Sequence, residues 1–499
     1  MKIDKYQKTV LVVLAACILG VGAIYALTPK KEYKGIDIED INFYSTPWGK
    51  DNPFFPGEIK TADGKMGSPK AIPSSSSCVK CHKKEFEEWV PSLHSISGRD
   101  LVYENSIEVN ADYKKNHHGE ELSRFCDSCH NPMEVTMGRI NPITTVEPSD
   151  VQTEGLACVF CHTATHADAN KGNGAITFDL NKAYDNLSGA AILASPKDHA
   201  RAFGSAKTNE LLKSAEFCGA CHNERYYPPV TPSNKVLKAQ STYDEWKDSW
   251  YAKNDVTCQD CHMNYEPIKF IANLQNGIIE KPKKYSHNFW GGNHVLQDTS
   301  LKEKLLFLRG GVLPGVDVKE YFRLIDKQKP ITEKFLKAAA RVEIVSSEIA
   351  DNYLEVKVKV SNIGAGHNLP TGVVDQKHMW LELKVVDQNG KVIYDNGASD
   401  RDKDVVIWAE RFLDKNGKVI MDHMTFKTAD IILTRPTIPP RGHQIITYKV
   451  PLKDGVQVAN LEANLWYKIA YEELIIKTLH RNFPIPKFLM ASDKKKVDL

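Results

Sequence analysis

The sequence predicts two unlike regions behind an N-terminal transmembrane helix: a mostly α-helical and irregular region built around cysteine and histidine, then an antiparallel β-sandwich. Three observations predict this. Ten of the 11 cysteines stand in pairs with two residues between them, from Cys78 to Cys261, and a histidine follows every pair. After about residue 341 apolar and polar residues alternate, the mark of strands with one buried face. Near the N-terminus an uncharged run, Thr9 to Leu27, almost reaches the ~20 residues that cross a bilayer as a helix.

At 499 residues the chain is long for one domain, and two or three are expected. Its formal net charge of +2 gives no electrostatic case for nucleic acid as a partner. Residues 1–30 read as a membrane anchor or signal. Lys2, Lys5 and Lys8 precede the run and Lys30, Lys31 and Lys34 follow it, so flanking charge alone does not orient it. An uncleaved anchor is the leading reading. A cleaved secretory signal and a lipoprotein signal at Leu14-Ala15-Ala16-Cys17 stay open. All three export the remainder, so the expected location is the cytoplasmic membrane, with the bulk of the chain on the periplasmic or cell-surface side. Residues 31–77 read as a tether or irregular cover, interrupted by Pro47, Pro53, Pro56, Pro69 and Pro73 and closed by the run Ser74 to Ser77.

The region 78–300 carries the chemistry. Its five segments are Cys78-Val79-Lys80-Cys81-His82, Cys126-Asp127-Ser128-Cys129-His130, Cys158-Val159-Phe160-Cys161-His162, Cys218-Gly219-Ala220-Cys221-His222 and Cys258-Gln259-Asp260-Cys261-His262. This CXXCH pattern is the attachment signature of c-type haem. Each cysteine forms a thioether with a former vinyl group, and the adjacent histidine ligates the iron. Zinc is the competing reading of paired cysteines, but zinc spacing makes no demand on the next residue, which here is histidine five times over. Five c-type haems are therefore the expected cofactors. About 37 residues per haem are too few for separate aliphatic cores, so the macrocycles should pack on one another as a conduction chain.

A haem that only passes electrons usually has both axial positions filled. Seven non-motif histidines lie between Cys78 and His294. His94, His118, His199, His287 and His294 are the expected second ligands. His117 competes with His118 in one loop, and His166 is a weaker candidate. His367 stands apart, in the glycine-flanked loop Gly364-Ala365-Gly366-His367-Asn368-Leu369-Pro370-Thr371-Gly372; it reads either as a ligand docking from the sandwich or as a surface histidine in a tight turn. Met133 and Met263 read as packing residues.

Short helices are expected at Glu85 to Val90 and Tyr243 to Tyr251, and a helical connector over 301–340, at 302–308 and 316–340. The sandwich (Ig-like) spans 341–480. Its strands include Leu354 to Val360, Leu381 to Val385, Ile445 to Lys449 and Leu461 to Tyr467, with hairpin turns at Asn389-Gly390 and Asn416-Gly417. Residues 481–499 read as a tail.

Three segments carry a family likeness: Glu88-Trp89-Val90-Pro91-Ser92-Leu93-His94, the lead-ins Glu154-Gly155-Leu156-Ala157-Cys158 and Val256-Thr257-Cys258, and Ser286-His287-Asn288-Phe289-Trp290-Gly291. Over roughly 74–295 the chain resembles the multihaem c-type cytochromes related to the tetrahaem electron acceptor of ammonia oxidisers. The resemblance implies an exported electron carrier with largely bis-histidine haems, and distal ligation by His94 and His287. A fifth motif departs from the tetrahaem pattern, and the sandwich looks like an added module.

Electron transfer to redox partner proteins in the membrane or periplasm is the expected function. The rival is a pentahaem reductase of a small nitrogen or sulfur oxide with one open iron; against it, no cysteine pair is followed by lysine. A third reading makes the sandwich a docking module, for partners or for further copies of the chain.

Overall fold

Short helices fill the first half because the cysteine pairs call for them. Positions i, i+3 and i+4 share one face of a helix, so a single turn aims two cysteines and a histidine the same way. The computed structural model describes residues 54, 57–64, 74–106, 119–136, 154–179, 195–204, 206–226, 236–374, 376–414, 416–420, 432–452, 455–480 and 483–499, all within the unit Ile38–Leu499. The run Thr9 to Leu27, Cys17, His117 and His118 lie outside these residues. Among the described residues no helix is long and apolar enough to cross a membrane.

In the motif region the helices Lys83–Trp89, Gly119–His130, Cys158–His162, Pro196–Gly204, Ala206–Lys213, Ala215–Gly219, Thr242–Lys247, Trp250–Lys253, Cys258–His262 and Pro267–Gln275 alternate with small strands. Strand β1 (Lys60–Thr61) pairs parallel with β3 (Ile176–Phe178), which pairs antiparallel with β2 (Ala164–Ala167); β4 (Glu224–Tyr226) pairs with β5 (Leu237–Gln240). Phe54 and Ile59 are buried against Phe160 and Phe178, so this part of the proline-rich stretch is a cover. The apolar clusters here are small and separate. The helical face expected from Tyr243 to Tyr251 divides in two at Ser249, whose hydroxyl accepts from the N–H groups of Tyr251 and Ala252 and starts the second helix.

The connector is helical as its periodicity indicates: Glu303–Leu308, then Val318–Ala339. Asp317 caps the long helix by accepting from the N–H groups of Lys319 and Glu320. Its buried face, Tyr321, Leu324, Ile325, Gln328, Thr332 and Leu336, follows the 3.6-residue period. The chain then passes directly into the sandwich strands β6 (Ala340–Ala350), β7 (Tyr353–Asn362), β8 (His378–Asp387), β9 (Val392–Asn396), β10 (Val406–Ala409), β11 (Arg411–Leu413), β12 (Ile432–Thr434), β13 (His443–Pro451), β14 (Val458–Lys468) and β15 (Phe488–Asp498). One antiparallel sheet runs β13-β7-β6 and the other β10-β8-β14-β15 with β9 on β8; β11 and β12 form a separate ribbon. Val356, Val358 and Val360 of the first sheet and Leu381, Leu383 and Leu465 of the second meet in the largest apolar core. At the Asn389-Gly390 turn, Gly390 takes φ +82° while its N–H donates to the Asp387 carbonyl.

Two departures from expectation fall near the C-terminus. A helix, Glu472–Leu479, packs on the chain beyond β14. Residues 481–499 are not a free tail, because β15 pairs along β14 from Val458 opposite Asp498 to Tyr467 opposite Phe488. Its lysine run disguised it: an edge strand tolerates lysine, which guards the open edge against further pairing.

Candidate functional site

The motifs take the helical form their spacing calls for. His82 and His222 donate their backbone N–H to the carbonyls of Cys78 and Cys218, each at 2.9 Å. The turn Cys258–His262 is fixed by a capping box between Thr257 and Asp260. The serine run also has a structural task. Ser74 Oγ and the Ser75 N–H donate to Glu154, and Ser75 Oγ accepts from the Cys158 N–H at 3.1 Å, joining the first motif to the third.

All five motifs open onto one cavity of about 1250 Å³. Its wall includes the five motif histidines together with His94, His199, His287 and His367. The thiol of Cys78 faces that of Cys158, Cys129 faces Cys221, and Cys218 faces Cys258. Motif 1 thus neighbours motif 3, and motif 4 neighbours both 2 and 5, an order that differs from the sequence.

Among the described residues four motif histidines confront a second imidazole across the cavity. His82 and His199 have ring centroids 6.5 Å apart, His222 and His94 6.4 Å, His162 and His287 6.3 Å, and His262 and His367 6.2 Å. These distances test whether haem iron fits. Two imidazoles on opposite faces of one iron, with metal–nitrogen bonds of about 2 Å and about 1.1 Å from nitrogen to ring centre, stand about 6.3 Å apart. Stacked imidazoles in direct contact would be much closer. The donor set and its spacing therefore fit iron held between histidine pairs.

The other ring nitrogens are oriented by the fold. Nδ1 of His162 lies 2.9 Å from the Phe203 carbonyl, Nδ1 of His130 3.1 Å from that of Ser97, Nδ1 of His367 2.9 Å from that of Asn368, and Nδ1 of His262 faces the Trp290 carbonyl. An Nδ1–H donating to a carbonyl leaves Nε2 with its lone pair free for a metal. At His222 the neighbour is the Gln240 amide, 3.2 Å from Nδ1, and Nε2 ligation requires that amide to present its oxygen. Burial pushes His94, His262 and His287 down to about 4 and His222 to about 3, so these rings are neutral near pH 7, the form that ligates.

Of the second ligands expected from sequence, the structure brings His94, His199 and His287 opposite motif histidines. His118 lies outside the described residues. His294 is brought opposite no motif histidine; its ring packs between Tyr467, at 5.9 Å, and Phe488, at 4.8 Å. The sequence places it next to Asn293, which does line the cavity, but the short helical turn His294–Gln297 directs its ring into the sandwich side. His166 is exposed on β2. Met133 is packed in an apolar cluster, whereas Met263 lines the cavity. Tyr103 stacks on His130 at 3.9 Å and donates its hydroxyl to Asp127 at 2.6 Å. Sequence reasoning did not single out Tyr103, Gln240 or the carbonyls that orient the rings, since a carbonyl leaves no mark in residue type. Lys377 on the cavity wall was missed too; burial pushes its ammonium below the usual lysine range.

The family described as cytochrome c554 and c-prime matches residues 77–174, a stretch holding the first three motifs. A solved structure, a penta-haem cytochrome c552 from Thermochromatium tepidum, superposes with a TM-score of 0.55 over 86% of this chain and 100% of that one, at 17% identity. At that identity the likeness is one of fold, and it spans the sandwich as well as the motif region. With CXXCH segments opening together on one cavity, the family match and the shared fold make the chain a multihaem c-type cytochrome.

Proposed function

We propose that the chain is an electron carrier with five covalently bound haems, one at each CXXCH segment, working on the outer side of the cytoplasmic membrane. Anchored through Thr9 to Leu27, it would exchange electrons with redox proteins of the membrane or periplasm. The observation that carries this reading is the set of facing imidazoles at 6.2–6.5 Å around a single cavity. Bound haem supplies one-electron iron chemistry. The protein's part is to hold the rings. Each cysteine pair would attach one haem, the motif histidine beside it would ligate the iron, and His94, His199 and His287 would supply a second ligand at motifs 4, 1 and 3. Phe203, Phe289, Trp290 and Phe335 give the cavity apolar walls. Contacting thiols from motifs 1 and 3, 2 and 4, and 4 and 5, with Cys161 of motif 3 close enough to feel the charge of Cys221 of motif 4, support edge-to-edge proximity throughout the set.

The alternative reading is a reductase with one open iron. EPR of the oxidised full-length protein separates the two. Low-spin signals accounting for every haem support the carrier. A high-spin haem that shifts on adding nitrite or cyanide, with turnover from a chemical reductant, supports the enzyme and sinks the carrier reading.

A further inference from the structure

We propose that His367, on the loop between β7 and β8, is the distal ligand of the iron at the fifth motif, so that this haem is held half by the motif region and half by the β-sandwich. The inference rests on the haem reading given above. His367 faces His262 at 6.2 Å with 22° between ring planes, the same spacing as the three pairs formed within the motif region. Among the described residues nothing in that region competes for the place, because His94, His199 and His287 each face another motif.

The loop is built to hold the ring still. Nδ1 of His367 meets the Asn368 carbonyl, and the Asn368 N–H donates to Glu245 Oε2 at 3.1 Å. The same carboxylate oxygen accepts from Thr371 Oγ1 at 2.7 Å, and Thr371 in turn meets Thr242 Oγ1 at 2.9 Å. Glu245 and Thr242 belong to the helix Thr242–Lys247 of the motif region, so two hydroxyls and a carboxylate fasten the sandwich loop across the seam. From inside the sandwich, Asn362 Nδ2 donates to the His367 carbonyl at 2.8 Å, and Asn362 Oδ1 accepts from the Ala365 N–H at 3.0 Å. Arg435 reaches from the sandwich to Ser241 and the Lys238 carbonyl, and Arg441 lies 4.4 Å over the Trp250 ring. Glu245 is thereby a positioning residue that acts on the ligand through Asn368. The glycines let the loop come close: Gly366 lies against the rings of Tyr251 and Trp246.

This assigns the sandwich a task that a detachable docking module would not have. The test compares wild type, H367G and H367M as full-length exported protein, with haem quantified and EPR recorded on the oxidised state. Five haems are expected in each. In H367G one low-spin signal becomes high-spin, and added imidazole reverses the change. H367M acquires the sulfur-to-iron absorption of a histidine–methionine haem, and its potential rises at that one centre. Should H367G retain four haems, H367M decides the matter: sulfur ligation upholds the assignment and a wild-type spectrum overturns it. Five haems with unaltered low-spin signals in both variants overturn the assignment and leave the haem reading intact. Wild type without haem overturns the reading itself.

Discussion

Gly364 sits where the loop carrying His367 leaves β7, and replacing it by alanine should detach the histidine. A Cβ at this position would stand 2.3 Å from the Ala338 carbonyl oxygen and 2.8 Å from Cγ2 of Ile271. Ordinary contact begins near about 3.4 Å, so the loop must withdraw by about 1 Å. The oxygen cannot yield, being the backbone at the end of the long helix, whose next carbonyl, of Ala339, already accepts from the N–H groups of Ile363 and Gly364. Withdrawal by that much would stretch a ligand bond from about 2 Å to about 3 Å, which is no bond at all. Overpacking of this kind costs about 1–3 kcal/mol, and each kcal/mol lowers Tm by roughly 2–4 °C in a domain the size of the sandwich. Gly366→Ala is the control, since its added methyl would meet only Tyr251 and Trp246 at 3.4–3.6 Å. EPR and thermal melting of G364A and G366A provide the assay. G364A should lose one low-spin haem and melt earlier, whereas G366A should resemble wild type. A G364A protein with wild-type spectrum and Tm would refute the reasoning about the seam.

Three further outcomes follow from the side chains. Burial raises Glu410 to about 8 although Arg435 lies 3.3 Å away, with Glu245 and Lys377 also facing it. A carboxyl raised in the fold contributes stability that is complete below the usual carboxylate range and is lost as pH climbs through 8. Melting profiles from pH 6 to 9 should therefore fall for wild type and flatten for E410Q; an equally steep E410Q profile would remove Glu410 as the cause. Asp400 accepts from His378 Nε2 at 2.7 Å and pairs with Lys468 at 3.2 Å, and these partners hold its carboxyl well below the usual range. D400N should cost roughly 1–3 kcal/mol near neutrality, because His378 loses its acceptor and Lys468 keeps only Glu472, and the difference should begin to shrink only as pH falls below about 4 and close well below the usual carboxylate range; a pH-independent loss of Tm would contradict this. Finally, H294F should leave every haem signal in place with Tm equal or higher, because His294 is buried between two aromatic rings and its nitrogens have no well-formed hydrogen bond. Loss of a low-spin signal in H294F would restore His294 as a ligand.

Local chemistry was readable from the sequence and long-range partnership was not. The CXXCH segments declare themselves because all five residues act within one helical turn. The long helix and β7 were plain as well, since periods of 3.6 and 2 are written over ten or more positions. Pairing of ligands is different. His199 meets His82 from more than a hundred residues away, and His94 crosses to the fourth motif rather than serving the nearby first. No spacing rule encodes such contacts, which arise from how the short helices pack around the cavity. His294 and His367 show the same limit in opposite directions. Composition favoured the histidine nearer the motifs, yet a single helical turn directs His294 into the sandwich, while a distant loop brings His367 against His262. The edge strand β15 escaped notice because its lysines, suited to an open edge, also suit a solvated tail.

Haem stoichiometry of the purified, exported protein bears most directly on the whole account. Intact-mass measurement on denatured chain, where only covalent groups remain, should give the polypeptide plus five haems, with pyridine haemochrome absorbance agreeing. A mass equal to the bare polypeptide, or a colourless protein holding zinc at its cysteine pairs, would contradict it.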